Sequence, residues 1–180
     1  MQETITFQRE NQRVSSSEVL QALAAGEEIR LKECTVSGDL DINRLLVKDE
    51  NFDTSNVKMS SSDEKMTLTL PALIVFNSCK FEGNVCFSSQ WEKAGELEVV
   101  FKKDVSFNSS VFCGQVRFSN AYFHGIAGFD GCVFERIASY REIRTKGRAM
   151  FRTVMFEGYG LFDGAVFGGE TRFTNTCFSK

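Results

Sequence analysis

The sequence is poor in the residues that many active sites depend on. It has a single histidine, and its six cysteines form no Cys-x-x-Cys pair. His124 cannot complete a zinc site with these cysteines at a recognised spacing, and the sequence assigns it no nucleophile partner. The sequence therefore predicts a protein that is not an enzyme and that has no catalytic, cofactor or metal site. The cysteines are expected to be free and reduced.

Strong charge and long hydrophobic runs are also missing. The net charge of -3 arises from 24 acidic and 21 basic residues, which is too balanced to indicate a nucleic-acid or membrane-surface protein. The longest apolar run, Ala72 to Phe76, is far shorter than a membrane span. The N-terminus has no basic segment followed by an apolar core. We therefore expect a soluble, cytoplasmic protein.

Phenylalanine, by contrast, is abundant and regularly spaced between Phe101 and Phe178. Two interleaved series each repeat every 11 residues, and fourteen of their fifteen positions are aromatic, with Thr145 as the exception. One series is Phe107, Phe118, Phe129, Tyr140, Phe151, Phe162 and Phe173; the other is Phe101, Phe112, Phe123, Phe134, Thr145, Phe156, Phe167 and Phe178. The intervening residues include few strong helix formers, so the spacing indicates a repeat of short strands rather than a long helix.

The residues around each aromatic position indicate which way it points. The residue two positions earlier is small or branched and never charged, as in Ala127 before Phe129. Alternation along a strand places both side chains inward, where a large and a small residue together fill a narrow tube. Glycine often follows two positions after the second series, as at Gly114 and Gly147. This glycine predicts a corner that needs a positive φ or a bulge.

Segments such as FSNAYFHGIAG (118–128) and FDGAVFGGETR (162–172) carry this pattern most clearly. Over residues 31–180 the chain resembles the pentapeptide-repeat family, in its phenylalanine-rich form with alternating steps of five and six residues. The resemblance implies an all-β solenoid, a right-handed quadrilateral β-helix of about six coils with 22 residues in each. Phe107, Phe129, Phe151 and Phe173 would then form one of four internal ladders.

The domain organisation follows from where this pattern begins and is interrupted. Residues 1–30 are predicted to be an N-terminal segment with a short capping α-helix at 15–26, which starts with the capping box Ser15-x-x-Glu18 and stops at Gly26. Residues 31–180 form the predicted β-helix, which begins at Leu31 and is interrupted by loops near 48–65 and 88–97. The first of these segments, 48–65, is predicted to be a loop or a projecting hairpin. We expect both loops, the second with Trp91, to carry recognition.

Two outward-facing groups are the remaining candidates for an interaction surface. Val111, Val133, Met155 and Cys177 would align in an apolar stripe, either a partner surface or branched residues that simply suit exposed strands. Residues 135–152 are basic and include Arg141, Arg144, Lys146 and Arg148. They should encircle the rod rather than form one groove, so direct nucleic-acid binding is not expected. Cys86 and Cys113 are predicted to face outward, and Thr145 to mark a local irregularity.

The main hypothesis is a structural or protein-protein interaction module whose partner is another protein of unknown identity. The alternative comes from the resemblance, because some pentapeptide-repeat proteins resemble duplex DNA and act on DNA gyrase, a type II topoisomerase. A continuous negative face would favour this DNA mimicry. The aromatic repeat also runs to Phe178, which predicts either self-association through the C-terminal coil or a longer natural chain.

Overall fold

The computed structural model describes residues 5–47, 52–61, 65–89 and 96–180. The chain winds into a solenoid with four faces, which we name A to D in the order in which each coil visits them. Each face is a sheet of five to seven strands, in agreement with the predicted β-helix of about six coils. Neighbouring strands pair in parallel, except for the first strand of face D.

The strands of face A are β1 (Thr6–Glu10), β3 (Glu28–Lys32), β8 (Ile74–Asn77), β12 (Val105–Ser106), β16 (Ala127–Gly128), β20 (Ala149–Met150) and β24 (Thr171–Arg172). Face B contains β2 (Arg13–Ser15), β4 (Thr35–Ser37), β9 (Lys80–Phe81), β13 (Val111–Phe112), β17 (Val133–Phe134), β21 (Met155–Phe156) and β25 (Cys177–Phe178). Face C contains β5 (Leu40–Asp41), β10 (Val85–Cys86), β14 (Val116–Arg117), β18 (Ala138–Ser139) and β22 (Gly160–Leu161). Face D contains β6 (Lys58–Ser61), β7 (Lys65–Leu70), β11 (Glu96–Phe101), β15 (Tyr122–Phe123), β19 (Arg144–Thr145) and β23 (Val166–Phe167).

Aromatic ladders fill the interior, as the spacing predicts. The Phe129 ring stacks on Phe107 at 5.5 Å and on Phe151 at 5.1 Å between centroids, with almost parallel planes. Rings of different ladders meet edge to face, for example Phe129 and Tyr140 at 5.1 Å. Both geometries are favoured between aromatic rings. The predicted coil of 22 residues is confirmed by the strand register, in which Ala127 pairs with Ala149.

The five-residue steps are tight turns that carry the unusual backbone conformations. In most of them, the amide of the residue after the turn donates to the carbonyl of the aromatic residue before it, as Ser110 does to Phe107 at 3.1 Å. The third residue of the turn has a positive φ, as at Ser109 (56°) and Thr153 (53°). The same conformation recurs at Asn120, half a coil after Ser109, and at Gly131, a full coil after it. Asparagine and glycine suit this position, whereas a β-branched residue is strained there.

The sequence predicts a positive φ or a bulge at the glycines of the six-residue steps. The positive φ occurs at Gly38 (79°) in the first coil but not at Gly114, Gly125 or Gly147 in the later coils. The corner glycines are needed because successive coils nearly touch there. A Cβ atom at Gly147 would lie 2.2 Å from the carbonyl oxygen of Gly125, and one at Gly158 would lie 2.2 Å from that of Arg136.

Helix α1 (Ser16–Ala24) packs against the first coil, next to β3 and β5. The predicted capping box is present, because the Ser15 amide donates to Glu18 Oε2 at 2.8 Å and the Glu18 amide donates to Ser15 Oγ at 3.2 Å. Its buried face includes Val19, Leu20 and Leu23. Strands β1 and β2 precede the helix and already belong to faces A and B, so the sheets begin before residue 31. No helix in the described ranges is long and apolar enough to cross a membrane.

Two irregular segments interrupt the coils. A 3-10 helix (Ile42–Leu45) is followed by residues 52–57, where Phe52 is buried under the guanidinium of Arg44. Strand β6 then pairs antiparallel with β7, so that Lys58 lies opposite Thr69. The connecting residues 62–64, and most of the second interruption, lie outside the described residues. The register resumes across it, because Phe87 stacks on Phe118 at 5.3 Å.

Candidate interaction surfaces

Face B carries the apolar stripe that the sequence predicts. Val111 pairs with Val133, Val133 with Met155, and Met155 with Cys177 on successive strands. The stripe becomes more accessible along the rod, since the two valines are half-buried, whereas Met155 is 43% exposed and Cys177 is also exposed. Four apolar side chains are therefore aligned along one flat face.

A column of acidic residues runs beside this stripe. Glu135 and Glu157 lie two residues after Val133 and Met155. Glu82 lies two residues after Lys80, which pairs with Val111, and all three glutamates are exposed. The column is interrupted by Cys113, which lies between Glu82 and Glu135 in the strand register. Arg13 also forms an ion pair with Glu82 at one end. Face B is thus apolar on one side and discontinuously negative on the other.

The basic residues at 135–152 encircle the rod, as expected, and several are already paired. Arg141 contacts Asp163 at 2.9 Å, and Arg152 Nε contacts Asp130 at 2.9 Å. Arg144 lies over the Tyr122 ring and forms an ion pair with the largely buried Glu98, which also contacts Lys65 at 3.1 Å. These contacts neutralise part of the band, and Lys65, Glu98 and Arg144 line a shallow depression of about 270 Å³.

Face D nevertheless keeps a line of basic residues that the sequence did not single out. Lys102, His124 and Lys146 follow Phe101, Phe123 and Thr145, which are aligned by the parallel register of β11, β15 and β19. Lys102 Nζ lies 3.5 Å from His124 Nε2. Partial burial and the two lysines lower the pKa of His124. We name these three residues the basic column; a spacing of 22 residues is the signal that could have revealed it.

The predicted surface residues therefore fall on separate parts of the rod. Val111, Val133 and Met155 lie on face B, whereas Arg144 and Lys146 lie on face D, which is on the opposite side of each coil. Arg141 and Arg148 lie at the corners on either side of face D. Trp91 lies outside the described residues, so its predicted role in recognition stays a prediction.

Cys86 points outward from face C, as the alternation predicts, yet it is only 4% exposed. Asn43 of the 3-10 helix and Ser88, which follows β10, lie against its thiol. Asn43 Nδ2 donates to the carbonyl oxygen of Ser88 at 2.9 Å and lies 3.8 Å from the thiol. Burial raises the pKa of the Cys86 thiol, so this cysteine is poorly suited to nucleophilic chemistry.

The alternation of inward and outward residues could not predict this burial, because the covering segment is an insertion. A shallow cavity of about 280 Å³ lies beside Cys86 and is lined by Asn84, Gln115 and Arg117. In the described ranges, no three His, Cys, Asp or Glu side chains are grouped as metal ligands. All six cysteines are free, and Cys34, Cys79 and Cys132 are buried as small interior residues.

Comparison with known proteins agrees with this geometry. Residues 76–133, from the Phe76 ladder position on face A to the stripe residue Val133 on face B, match the family model described as pentapeptide repeats (9 copies). Searches of the curated proteins and of the solved structures found no significant match. The predicted resemblance to the pentapeptide-repeat family is thus confirmed over residues 76–133.

Proposed function

We propose that this protein is a non-enzymatic interaction module that binds another protein through face B. The observation that carries the proposal is the outward-facing stripe of Val111, Val133, Met155 and Cys177, which the strand register aligns on one face and whose last two residues are exposed. Aligned exposed apolar side chains are typical of binding surfaces rather than of ordinary solvated surface. The aromatic core keeps this face rigid, which lowers the entropy cost of binding.

The chemistry of face B indicates the kind of partner. The stripe would contact apolar side chains, and the column of Glu82, Glu135 and Glu157 would lie next to lysine or arginine residues at the edge of the contact. The partner is therefore expected to present apolar residues flanked by basic ones. Free cysteines are compatible with a reducing compartment, and a cytoplasmic location is part of the proposal.

DNA mimicry and action on DNA gyrase are the alternative. Face B gives it less support, because Cys113 interrupts the acidic column, Arg13 neutralises Glu82, and an apolar stripe occupies the adjoining positions. Duplex DNA instead presents closely and regularly spaced negative charge. Pentapeptide repeats are generally structural rather than catalytic, and this supports a binding role over an enzymatic one.

The proposal is tested by comparing two variants of the full chain in affinity capture from the native host. Val133→Lys/Met155→Lys places charge on the stripe. Ile137→Lys/Val166→Lys is the matched control, because it replaces two exposed apolar residues on faces C and D. We expect at least one protein to be retained by the wild type and by the control but reduced about tenfold or more by the face B variant.

A captured protein should then bind the purified wild-type chain directly and should carry the predicted apolar and basic residues. Equal capture by both variants would exclude face B as the binding surface. A supercoiling assay decides the alternative: inhibition or protection of DNA gyrase by the wild type that is retained in the face B variant would favour DNA mimicry over this proposal.

A further inference from the structure

The basic column of face D lies on the side of the rod opposite face B and takes no part in the proposed contact there. Lys102 and Lys146 are exposed, and no ion pair with an acidic side chain involves either of them within the described ranges. His124 is half-buried between them, with its ring 4.5 Å from that of Tyr122. Lys102 and Lys146 flank His124 on the two neighbouring strands, so a protonated imidazole would lie between two positive charges, which is unfavourable without an anion to neutralise them.

The surroundings of the column make it accessible from one side. The next position along each strand carries Lys103, Gly125 and Gly147. The two glycines have no side chain to shield the column, so a ligand backbone can approach it across this corner. Lys103 is already paired with Glu28 at 3.2 Å. Asp104, one position further, is occupied as the acceptor of the Ile126 amide at 2.7 Å.

On the other side of the column, acidic groups are also engaged. Glu98 is held by Arg144 and Lys65, and Arg144 lies over Tyr122 rather than over His124. Glu142 lies on the far side of Arg144, away from the column. The charged groups that face His124 are therefore Lys102 and Lys146, and its aromatic neighbour is Tyr122.

We propose that the basic column of Lys102, His124 and Lys146 binds an acidic segment of another protein, which lies extended along the rod axis. Adjacent strands are spaced by about 4.8 Å, so the two lysine positions are about 10 Å apart. Alternate residues of an extended chain are separated by about 7 Å, and the flexible lysine side chains cover the difference. Carboxylates on one side of such a segment can therefore contact both lysines.

A short acidic segment fits this surface better than a nucleic acid does. The column spans only three strands, whereas nucleic-acid binding usually relies on many phosphate contacts. The overall charge of -3 also repels a long polyanion. Together with face B, the column would allow the rod to bind two proteins on opposite sides.

Protonation of His124 adds a third positive charge to the column, so binding should strengthen as the pH falls. The pKa of free His124 is lowered by burial and by the two lysines. A bound carboxylate opposes these effects, because it favours the charged imidazolium. Glutamate carboxylates keep most of their charge down to about pH 5.5. The ligand therefore stays negative over the range in which the histidine titrates.

The probe is a fluorescein-labelled oligoglutamate peptide, and its binding to the full chain is measured by fluorescence anisotropy at low ionic strength. Each lysine should contribute up to about fivefold in affinity, so Lys102→Glu/Lys146→Glu should abolish measurable binding. The control Lys80→Glu/Arg136→Glu changes the net charge equally near face B and should leave binding intact. Circular dichroism melting of all variants verifies that the solenoid is folded.

The pH dependence provides a second and independent measurement. Between about pH 7.5 and about pH 5.5, wild-type affinity should rise, whereas His124→Gln should bind with constant affinity. The proposal is overturned if the wild type does not bind the peptide, if both charge-reversal variants lose binding equally, or if a single-stranded oligonucleotide binds more tightly than oligoglutamate. The proposal is also overturned if the affinity of His124→Gln rises with falling pH as much as that of the wild type.

Discussion

At the scale of single residues, the stability of the rod depends on aromatic rings that stack on the rings of the preceding and the following coil. Phe151 is fully buried and stacks on Phe129 at 5.1 Å and on Phe173 at 4.9 Å. We expect Phe151→Ala to lower the free energy of unfolding by about 3 to 5 kcal/mol, because it leaves a cavity inside a closed ladder. Chemical denaturation measures this directly. Phe173→Ala is the control and should cost less, since Phe173 is 38% exposed.

Thr145 is the one non-aromatic residue in its ladder, and its hydroxyl is a second test at this scale. The backbone keeps its register there, with Thr145 paired to Phe123 and Phe167, so the expected irregularity is absent. The Oγ1 atom is buried and has no hydrogen-bond partner among the described residues. Thr145→Val keeps the shape and removes the hydroxyl, so we expect the free energy of unfolding to rise by about 1 kcal/mol.

The control for Thr145→Val is the same replacement at Thr176. There the hydroxyl donates to the carbonyl oxygen of Phe151, and its loss should destabilise the fold. Thermal and denaturant unfolding of both variants should therefore shift in opposite directions. Destabilisation by Thr145→Val would indicate that its hydroxyl has a partner, such as a buried water molecule.

At the scale of elements, α1 is stabilised by its capping box, and this contribution depends on pH. Ser15→Ala should lower the free energy of unfolding by about 1 kcal/mol at neutral pH. The Ser15 backbone amide and hydroxyl, which donate to the carboxylate, lower the pKa of Glu18 from 4.5. This part of the stability is present above that value and is lost as the pH falls through the lowered pKa.

The measurement is denaturant unfolding of the wild type and of Ser15→Ala at neutral and at acidic pH. The difference between the two proteins should shrink in acid. Ser17→Ala is the matched control, since its hydroxyl accepts a hydrogen bond from the exposed Arg44 at 3.1 Å and should contribute little. A difference that does not change with pH would show that the hydrogen bond from the Ser15 hydroxyl to the Glu18 carboxylate does not contribute to stability.

The strand elements were the most predictable part of this protein. Alternation along the strand and the 22-residue spacing determine which side chains share a ladder, so the Phe129 ladder and the Val111 stripe could both be predicted. The cause of the glycine corners could not, because it depends on the distance between successive coils. The burial of Cys86 depends on the contact between Asn43 and Ser88, which are far apart in sequence. The basic column was missed because its residues differ in type.

At the scale of the whole molecule, self-association through the last coil stays a prediction. Phe173 and Phe178 are 38% and 50% exposed there, and a second copy could cover them. Light scattering over a concentration series should then show a mass that increases with concentration. Thr174→Lys should weaken the association by placing charge beside these rings. Thr6→Lys, on an exposed site of the first strand of face A, is the control. Scattering from a monomer at all concentrations would contradict the prediction.

The uniform rise from strand to strand also limits how a partner can locate itself on this rod. A ligand that contacts only the stripe at Val111 and Val133 would contact nearly the same surface after a shift of one strand, about 4.8 Å, along the rod axis. A regular surface alone therefore fixes the orientation of a bound partner but not its position along the rod axis. That position must be fixed by features that occur once among the described residues, such as the antiparallel β6 strand and the gap in the acidic column at Cys113. If such a feature were transferred to the neighbouring coil, a bound partner would shift by one strand along the rod, although the stripe itself would be unchanged.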